Sequence, residues 1–265
     1  MKIVVGIKQV PETTNVKINE KTKNIDRRGI SGVINQYDRH ALEAAFEIKA
    51  KTNAEVIVMT MGPDDFVVSL QEALALGADS AVLLSDRAFA GADTLATGYV
   101  LSEAIKKIGD VDLVLLGQQS VDADTGQMGP IISEFLDISQ VTYASKLDVE
   151  EGSLRIKRYL ENIEQDITAK LPVLVTVTDQ ANDPKYVNIV EIAKSFEKEV
   201  TTWHASDLNL DADRVGQAGS PSVVRSISSP KEVVKDNYKL PDNPQDAADE
   251  LVKILKDKNI LVEDK

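Results

Sequence analysis

One pattern constrains this chain more than any other. In its first half an apolar run followed by an amphipathic stretch recurs four times. The runs are Ile3-Val4-Val5-Gly6-Ile7, Val56-Ile57-Val58-Met59, Ser80-Ala81-Val82-Leu83-Leu84 and Leu113-Val114-Leu115-Leu116-Gly117. They are apolar at nearly every position rather than at alternate ones, as in strands buried on both faces. Between them the spacing predicts helices. The first starts at Asp38 as N-cap and carries Leu42, Ala45, Phe46 and Lys49 at helical intervals; the others span about 64–76, closed by Gly77, about 93–108, closed by Gly109, and a stretch beginning near 125. Repeated strand–helix units mean a parallel sheet covered by helices on both faces, a doubly wound α/β fold with right-handed crossovers.

The remainder departs from that rhythm. Residues 14–34 are polar, with short extended pieces around Lys17-Ile18 and Asn24-Ile25 that read as a hairpin excursion. From Val141 onward, short strands at 146–149, 154–158, 166–168 and 173–178 are joined by polar turns such as Glu150-Glu151-Gly152, and they read as antiparallel additions to the same sheet. Residues 179–202 are polar with scattered Ile and Val, and 205–247 are rich in Asp, Ser, Pro and Gly. A long segment with little core of its own wraps a partner, carries a binding loop or is disordered. An amphipathic helix over 250–260 follows, with Leu251, Ile254 and Leu255 on one face, packed on its own domain or on a partner. The expected division is one α/β domain over 1–204 and an arm over 205–265.

Composition removes much chemistry. The chain has 265 residues and is 43% hydrophobic, enough for a sizeable core, but it has no cysteine and only two histidines, His40 and His204. That leaves no disulfide, no thiol nucleophile and no cysteine-ligated zinc or iron–sulfur site. Forty-three acidic residues against thirty basic ones, a formal charge of −13, argue against nucleic-acid binding, which needs Lys and Arg to neutralise phosphate. Redox or transfer chemistry would have to come from a bound cofactor. The apolar run after Met1 is too short for a signal-peptide core, and no segment approaches the roughly 18 apolar residues of a membrane helix. A cytoplasmic protein without membrane insertion is expected.

Ligands of an open parallel sheet bind outside the carboxyl ends of its strands. The richest such stretch follows the fourth run, Gln118-Gln119-Ser120-Val121-Asp122-Ala123-Asp124-Thr125-Gly126-Gln127-Met128-Gly129. Small and hydrogen-bonding residues enter a helix at Thr125-Gly126, where free N–H groups at the positive end of the dipole suit a phosphate. The Thr125 hydroxyl and the Gln127 amide are candidate donors. Asp122 and Asp124 oppose an anion unless they cap the helix or point away, and an Asp-capped helix start with no ligand fits the same spacing. GxGxxG, GxxxxGK[ST] and GxSxG are all absent, which counts against a Rossmann dehydrogenase, a P-loop enzyme and a serine hydrolase. His40, beside Arg39, reads as a surface residue and His204, after Trp203, as a packing residue. No acid–base pair or nucleophile stands out.

Several stretches, in order, resemble the β subunit of electron-transfer flavoproteins. They are residues 1–11, Ile34-Asn35-Gln36-Tyr37-Asp38, Ala75-Leu76-Gly77-Ala78-Asp79, Asp112-Leu113-Val114-Leu115-Leu116-Gly117, Arg158-Tyr159-Leu160-Glu161 through Ile167, and Leu171-Pro172-Val173-Leu174-Val175-Thr176. Asn162-Ile163 departs from that pattern, where small or acidic residues are commoner. The resemblance implies an adenine-nucleotide cleft and permanent pairing with an α subunit that carries its own FAD and serves a partner flavin dehydrogenase. Ordinary members hold AMP in the β cleft. The electron-bifurcating subgroup holds a second FAD there, which takes a hydride from NADH and splits the pair between ferredoxin and the α-subunit flavin. Residues 85–97 and the compact loop 121–126 resemble that subgroup.

By the same resemblance, Gly6, Asn35, Gln36, Tyr37, Asp38, Met61, Val121, Asp122, Ala123, Asp124, Thr125, Gly126, Gln127, Met128 and Gly129 line the cleft, Gln36 standing where proline is usual. Phe89, Gly91, Thr94 and Thr97 lie near the flavin ring or NADH, with the start of the third helix offering N–H groups to a second dinucleotide. Residues 183–194 resemble the loop that docks on the dehydrogenase, with Ile189 at the apolar anchor and Tyr186 and Ile192 beside it, and the arm contacts the α subunit. The same scaffold also admits a non-redox nucleotide-binding regulator, though the antiparallel extension and the arm are features a compact regulator does not need.

Overall fold

The computed structural model describes residues 1–12, 17–19, 24–26, 32–225 and 237–261. It divides into two compact units, Met1–Ser226 and Ile227–Lys265. The first unit runs β1 (Lys2–Gly6), β2 (Gln9–Pro11), β3 (Lys17–Asn19), β4 (Asn24–Asp26), β5 (Gly32–Ile34), α1 (Gln36–Thr52), β6 (Glu55–Met61), α2 (Val67–Leu76), β7 (Ser80–Leu84), α3 (Thr94–Ile108), β8 (Leu113–Gly117) and α4 (Met128–Leu136). It continues through β9 (Ser139–Glu150), β10 (Ser153–Leu160), β11 (Ile163–Lys170), β12 (Val173–Val177), α5 (Ile189–Ser195) and β13 (Val200–Trp203); α6 (Pro244–Asp257) lies in the second unit.

Among the described residues nine strands form one sheet in the order β11-β10-β9-β12-β8-β1-β6-β7-β13. All are parallel except β10 and β11, which fold back on β9 as an antiparallel meander. Successive side chains of a strand point to opposite faces, and here both faces are covered. Ile3, Val5, Val56, Val58, Leu113, Leu115, Val173 and Val175 share one buried cluster with Ala41, Leu42 and Ile48 of α1 and Leu70 and Leu74 of α2. Val4, Ile57, Met59, Val114, Leu116 and Leu174 share another with Tyr99, Val100 and Ile105 of α3 and Ile132 of α4. Each fully buried Val or Leu contributes roughly 1.5–3 kcal/mol, so continuous apolar runs are the pattern this architecture demands.

Three expectations need correction. Val173–Val177 is not part of the antiparallel extension: β12 lies between β9 and β8, parallel to both. The crossover through α4 passes over one strand position, and the chain returns from the meander to fill it. Residues 179–202 are also more ordered than their composition implied, since they hold α5 and β13, the latter paired parallel with β7 at the far edge. The last helix starts at Pro244, with the Asn243 side chain accepting from Gln245 and Asp246 N–H groups. Its polar first turns carry no apolar periodicity, so only the second half showed in the sequence. β3 pairs antiparallel with β4, as the hairpin reading of this stretch required; residues 13–16, 20–23 and 27–31 of that excursion lie outside the described residues, as do 226–236 and 262–265 of the expected arm.

Candidate functional site

From β1 the chain winds outward to β6 and β7, then crosses back to β8 on the other side of β1. That reversal puts the switch point of the topology at the carboxyl ends of β1 and β8, the position where doubly wound sheets take ligands in a crevice. Polar side chains bridge it. The Asp38 carboxylate, buried in the first turn of α1, accepts the Lys8 N–H at 2.8 Å and the Gly117 N–H at 3.1 Å. Asn35, fully buried, donates from Nδ2 to the Gln119 carbonyl at 2.8 Å and accepts the Val121 N–H at 3.1 Å. Lys8 Nζ reaches Ser120 Oγ at 3.3 Å and Asp122 Oδ1 at 2.6 Å. Asp38 is therefore not the N-cap of α1; that position belongs to Asn35. Burial pushes the Asp38 carboxyl up to about 7, against the N–H groups of Lys8, Asn35 and Gly117 and the Lys8 charge, which all pull it down.

The loop so pinned runs on to α4. Asp124 and Gly126 have φ of +55° and +60°, left-handed values that end any helix, and α4 starts only at Met128 rather than at Thr125-Gly126. Its N-cap, Gln127, makes no side-chain cap; its Oε1 instead accepts from Thr94 Oγ1. Among the described residues, none of the amide N–H groups of Thr125, Gly126, Gln127, Met128 and Gly129 donates to another protein group. Gly129 is obligatory here, because a Cβ would run into the Thr176 methyl of β12. Burial of its side chain opposes ionisation of Asp122, but the Lys8 ammonium outweighs it and holds that carboxyl below its ordinary range. The acid that seemed hostile to an anion is thus engaged by a cation. α3 differs: Asp93 caps it, accepting from Leu95 at 3.0 Å and Ala96 at 3.1 Å, and its other oxygen takes Ser222. At the start of α3 the N–H groups of Leu95 and Ala96, expected to be on offer to a second dinucleotide, are already taken by the Asp93 carboxylate. α4 has open amides and no such cap, an arrangement that fits a phosphate group.

Residues 22–208 match the electron transfer flavoprotein domain. The chain belongs to the electron transfer flavoprotein family. It is 42% identical over 262 residues to the electron transfer flavoprotein subunit beta of Clostridium acetobutylicum, covering 98% of this chain and 100% of that one. It is 46% identical over 231 residues to the same subunit of Thermoanaerobacterium thermosaccharolyticum, covering 87% and 88%. The caffeyl-CoA reductase–Etf complex subunit CarD of Acetobacterium woodii is 44% identical over 232 residues, covering 87% and 88%.

The other residues singled out by resemblance to electron transfer flavoproteins are placed unevenly. Gly6 and Met61 end β1 and β6, and the Leu116 side chain lies over Gly6. Tyr37 is half-buried and Gln36 exposed beside Asn35. Phe89 is turned into the α3-side core, while Gly91 is exposed and Thr94 and Thr97 are half-buried. Gly91 lies against Gln217, from a segment that crosses α3: Arg214 stacks over Tyr99, with its guanidinium carbon 4.1 Å from the ring centre.

The segment 183–194 presents Tyr186, 94% exposed, and Ile189, 82% exposed, with Val190 and Ile192 beside them. Single exposed apolar residues are ordinary, but a cluster of this size is not. Its base is tied to α1: Lys185 pairs with buried Glu43 at 2.8 Å, and Asn182 exchanges hydrogen bonds with the His40 carbonyl and imidazole. His40 is therefore half-buried and tied to the base of this segment rather than a plain surface residue. His204, expected as a packing residue, is exposed instead and held by hydrogen bonds: its Nδ1 lies 2.6 Å from the Ser85 carbonyl just after β7, and its N–H donates to Asp207 Oδ2. Sequence reasoning missed Lys8, Thr176 and exposed Phe196; the only hint was a lysine directly after a strand and a hydroxyl inside an apolar one. Among the described residues no acidic or histidine cluster could hold a metal ion, and no helix is long and apolar enough to cross a membrane.

Proposed function

We propose that this chain is the β subunit of a heterodimeric, electron-bifurcating electron transfer flavoprotein, with FAD in the β1/β8 crevice. Bound there, FAD would supply hydride acceptance from NADH and one-electron transfer to ferredoxin and, by way of the α-subunit FAD, to a partner dehydrogenase. The observation that carries the reading is the run of unpaired amides from Thr125 to Gly129 at the start of α4, which fits a phosphate of an adenine nucleotide. Asn35, Asp38 and Lys8 hold the loop that presents those amides; Thr94 reaches the same helix start through Gln127. No side chain here supplies redox chemistry, so the protein binds and orients the cofactor and tunes its surroundings. The relative named as a subunit of a caffeyl-CoA reductase–Etf complex supports service to a partner reductase or dehydrogenase, and the bifurcating version rests on the resemblance of residues 85–97 and 121–126 to that subgroup. The exposed cluster of Tyr186, Ile189 and Ile192 fits an apolar socket on a dehydrogenase, and the second unit, from Ile227 onward, is the part of the arm that serves the α subunit.

Purification with the α subunit, followed by denaturation and nucleotide analysis, tests the reading. Two FAD per heterodimer are expected. One FAD together with AMP would reduce the chain to an ordinary electron carrier with AMP as a structural ligand. A preparation with bound ATP and no flavin would favour the non-redox regulator.

A further inference from the structure

β9 contains a residue that backbone sterics disfavour. Tyr143 has φ +61°, a region where bulky side chains are genuine outliers. It sits at a bulge: Val175 pairs with Val141 and Val177 with Ala144, so Thr142 and Tyr143 together oppose Thr176. The Tyr143 N–H donates to Thr176 Oγ1 at 3.0 Å, which accounts for a buried hydroxyl in the apolar strand β12. The methyl of the same threonine faces Gly129 of α4. Thr176 therefore joins the bulge to the helix start.

The bulge aims the phenol at the loop before α4. A Cβ placed on Gly126 would lie 3.9 Å from the Tyr143 hydroxyl. Among the described residues that hydroxyl has no hydrogen-bond partner, and Tyr143 is only half-buried. A phenol O–H is a donor that seeks a partner when its ring is packed, and strained backbone concentrates at ligand sites. Beside it stand the unpaired amides of Thr125 to Gly129. We propose that Tyr143 is a nucleotide-binding residue, donating its hydroxyl hydrogen to a phosphate oxygen of the adenine nucleotide at this loop. This rests on the nucleotide-cleft reading of the preceding section.

Tyr143→Phe removes the donor and leaves the ring and the bulge. The measurement is the dissociation constant for AMP and for FAD, by equilibrium dialysis of the complex with the α subunit. The α-subunit flavin stays in place, so the open site is in this chain. For whichever nucleotide the unaltered cleft holds, the variant's constant should rise about tenfold, as loss of one hydrogen bond to a charged group implies. The thermal midpoint of the nucleotide-free complex should not change. Equal affinities overturn the role of Tyr143 and leave the cleft standing. A lowered nucleotide-free midpoint also overturns it, because the hydroxyl is then a packing element. If the unaltered chain binds neither nucleotide, the cleft reading fails and the Tyr143 proposal with it.

Discussion

Asp38 illustrates what a single residue does in this crevice. Its carboxyl titrates at about 7 instead of 3.8 because burial disfavours the charged form more than its N–H partners favour it. The folded state therefore holds the proton more tightly than the unfolded chain. This group's contribution to stability is full below about pH 4, declines as pH rises, and is gone above about 7. Asp38→Asn should remove that slope: between about pH 5 and pH 8, the parent should lose on the order of 2 kcal/mol relative to the variant in urea unfolding. A parallel pH dependence of the two proteins would contradict the assignment. Asn35 acts on the loop in a different way, through two hydrogen bonds to the backbone at Gln119 and Val121. Asn35→Ala leaves both groups without their buried partner, and about 2–4 kcal/mol of stability should go with them, together with nucleotide retention on gel filtration. Neither role was visible in the sequence: the motif placed both residues at the site, but the partners lie more than 75 positions away for Gly117, Gln119 and Val121.

At the scale of elements, two helices start at the same edge of the sheet and differ in one respect. α3 is capped by Asp93, whose carboxyl burial would raise but which the N–H groups of Ala96, Ser222 and Leu95 hold below its ordinary value. α4 begins with open amides. Asp93→Ala should therefore cost about 1 kcal/mol of stability as an ordinary lost cap, with nucleotide content unaltered. Gly129→Ala should behave in the opposite sense. Its Cβ pushes the α4 start off Thr176, so nucleotide affinity should fall by more than tenfold for a stability loss of about 1–3 kcal/mol. Nucleotide analysis and thermal melts on the two variants separate the cases. The sequence had singled out both helix starts, and only the hydrogen-bond partners told them apart. Ile189, on the first turn of α5, belongs to a third class. Exposed as it is, Ile189→Ala should leave stability within about 0.5 kcal/mol. Reduction of the partner dehydrogenase, followed spectroscopically, should slow without any change in bound nucleotide.

For the whole molecule, the first compact unit extends to Ser226, beyond the end of β13, because residues 211–222 hydrogen-bond and stack onto α3. A chain ending at Ser226 should therefore still unfold in one cooperative transition by circular dichroism. A broad, non-cooperative melt would show that the sheet domain depends on the second unit. The sequence by itself determined the fold class. Both-face burial leaves its mark in every residue of a strand, so β1, β6, β7 and β8 stood out as unbroken apolar runs, and Gly77 and Gly109 marked where α2 and α3 stop. It also carried the family through its ordered motifs. Only the tertiary structure decided that β12 returns to the centre of the sheet, that β13 closes the far edge, and that Lys8, Asp38, Tyr143 and Thr176 converge on one loop. The reason is range: strand burial is written locally, residue by residue, whereas strand order and buried polar partners join groups tens of positions apart, which no local pattern encodes.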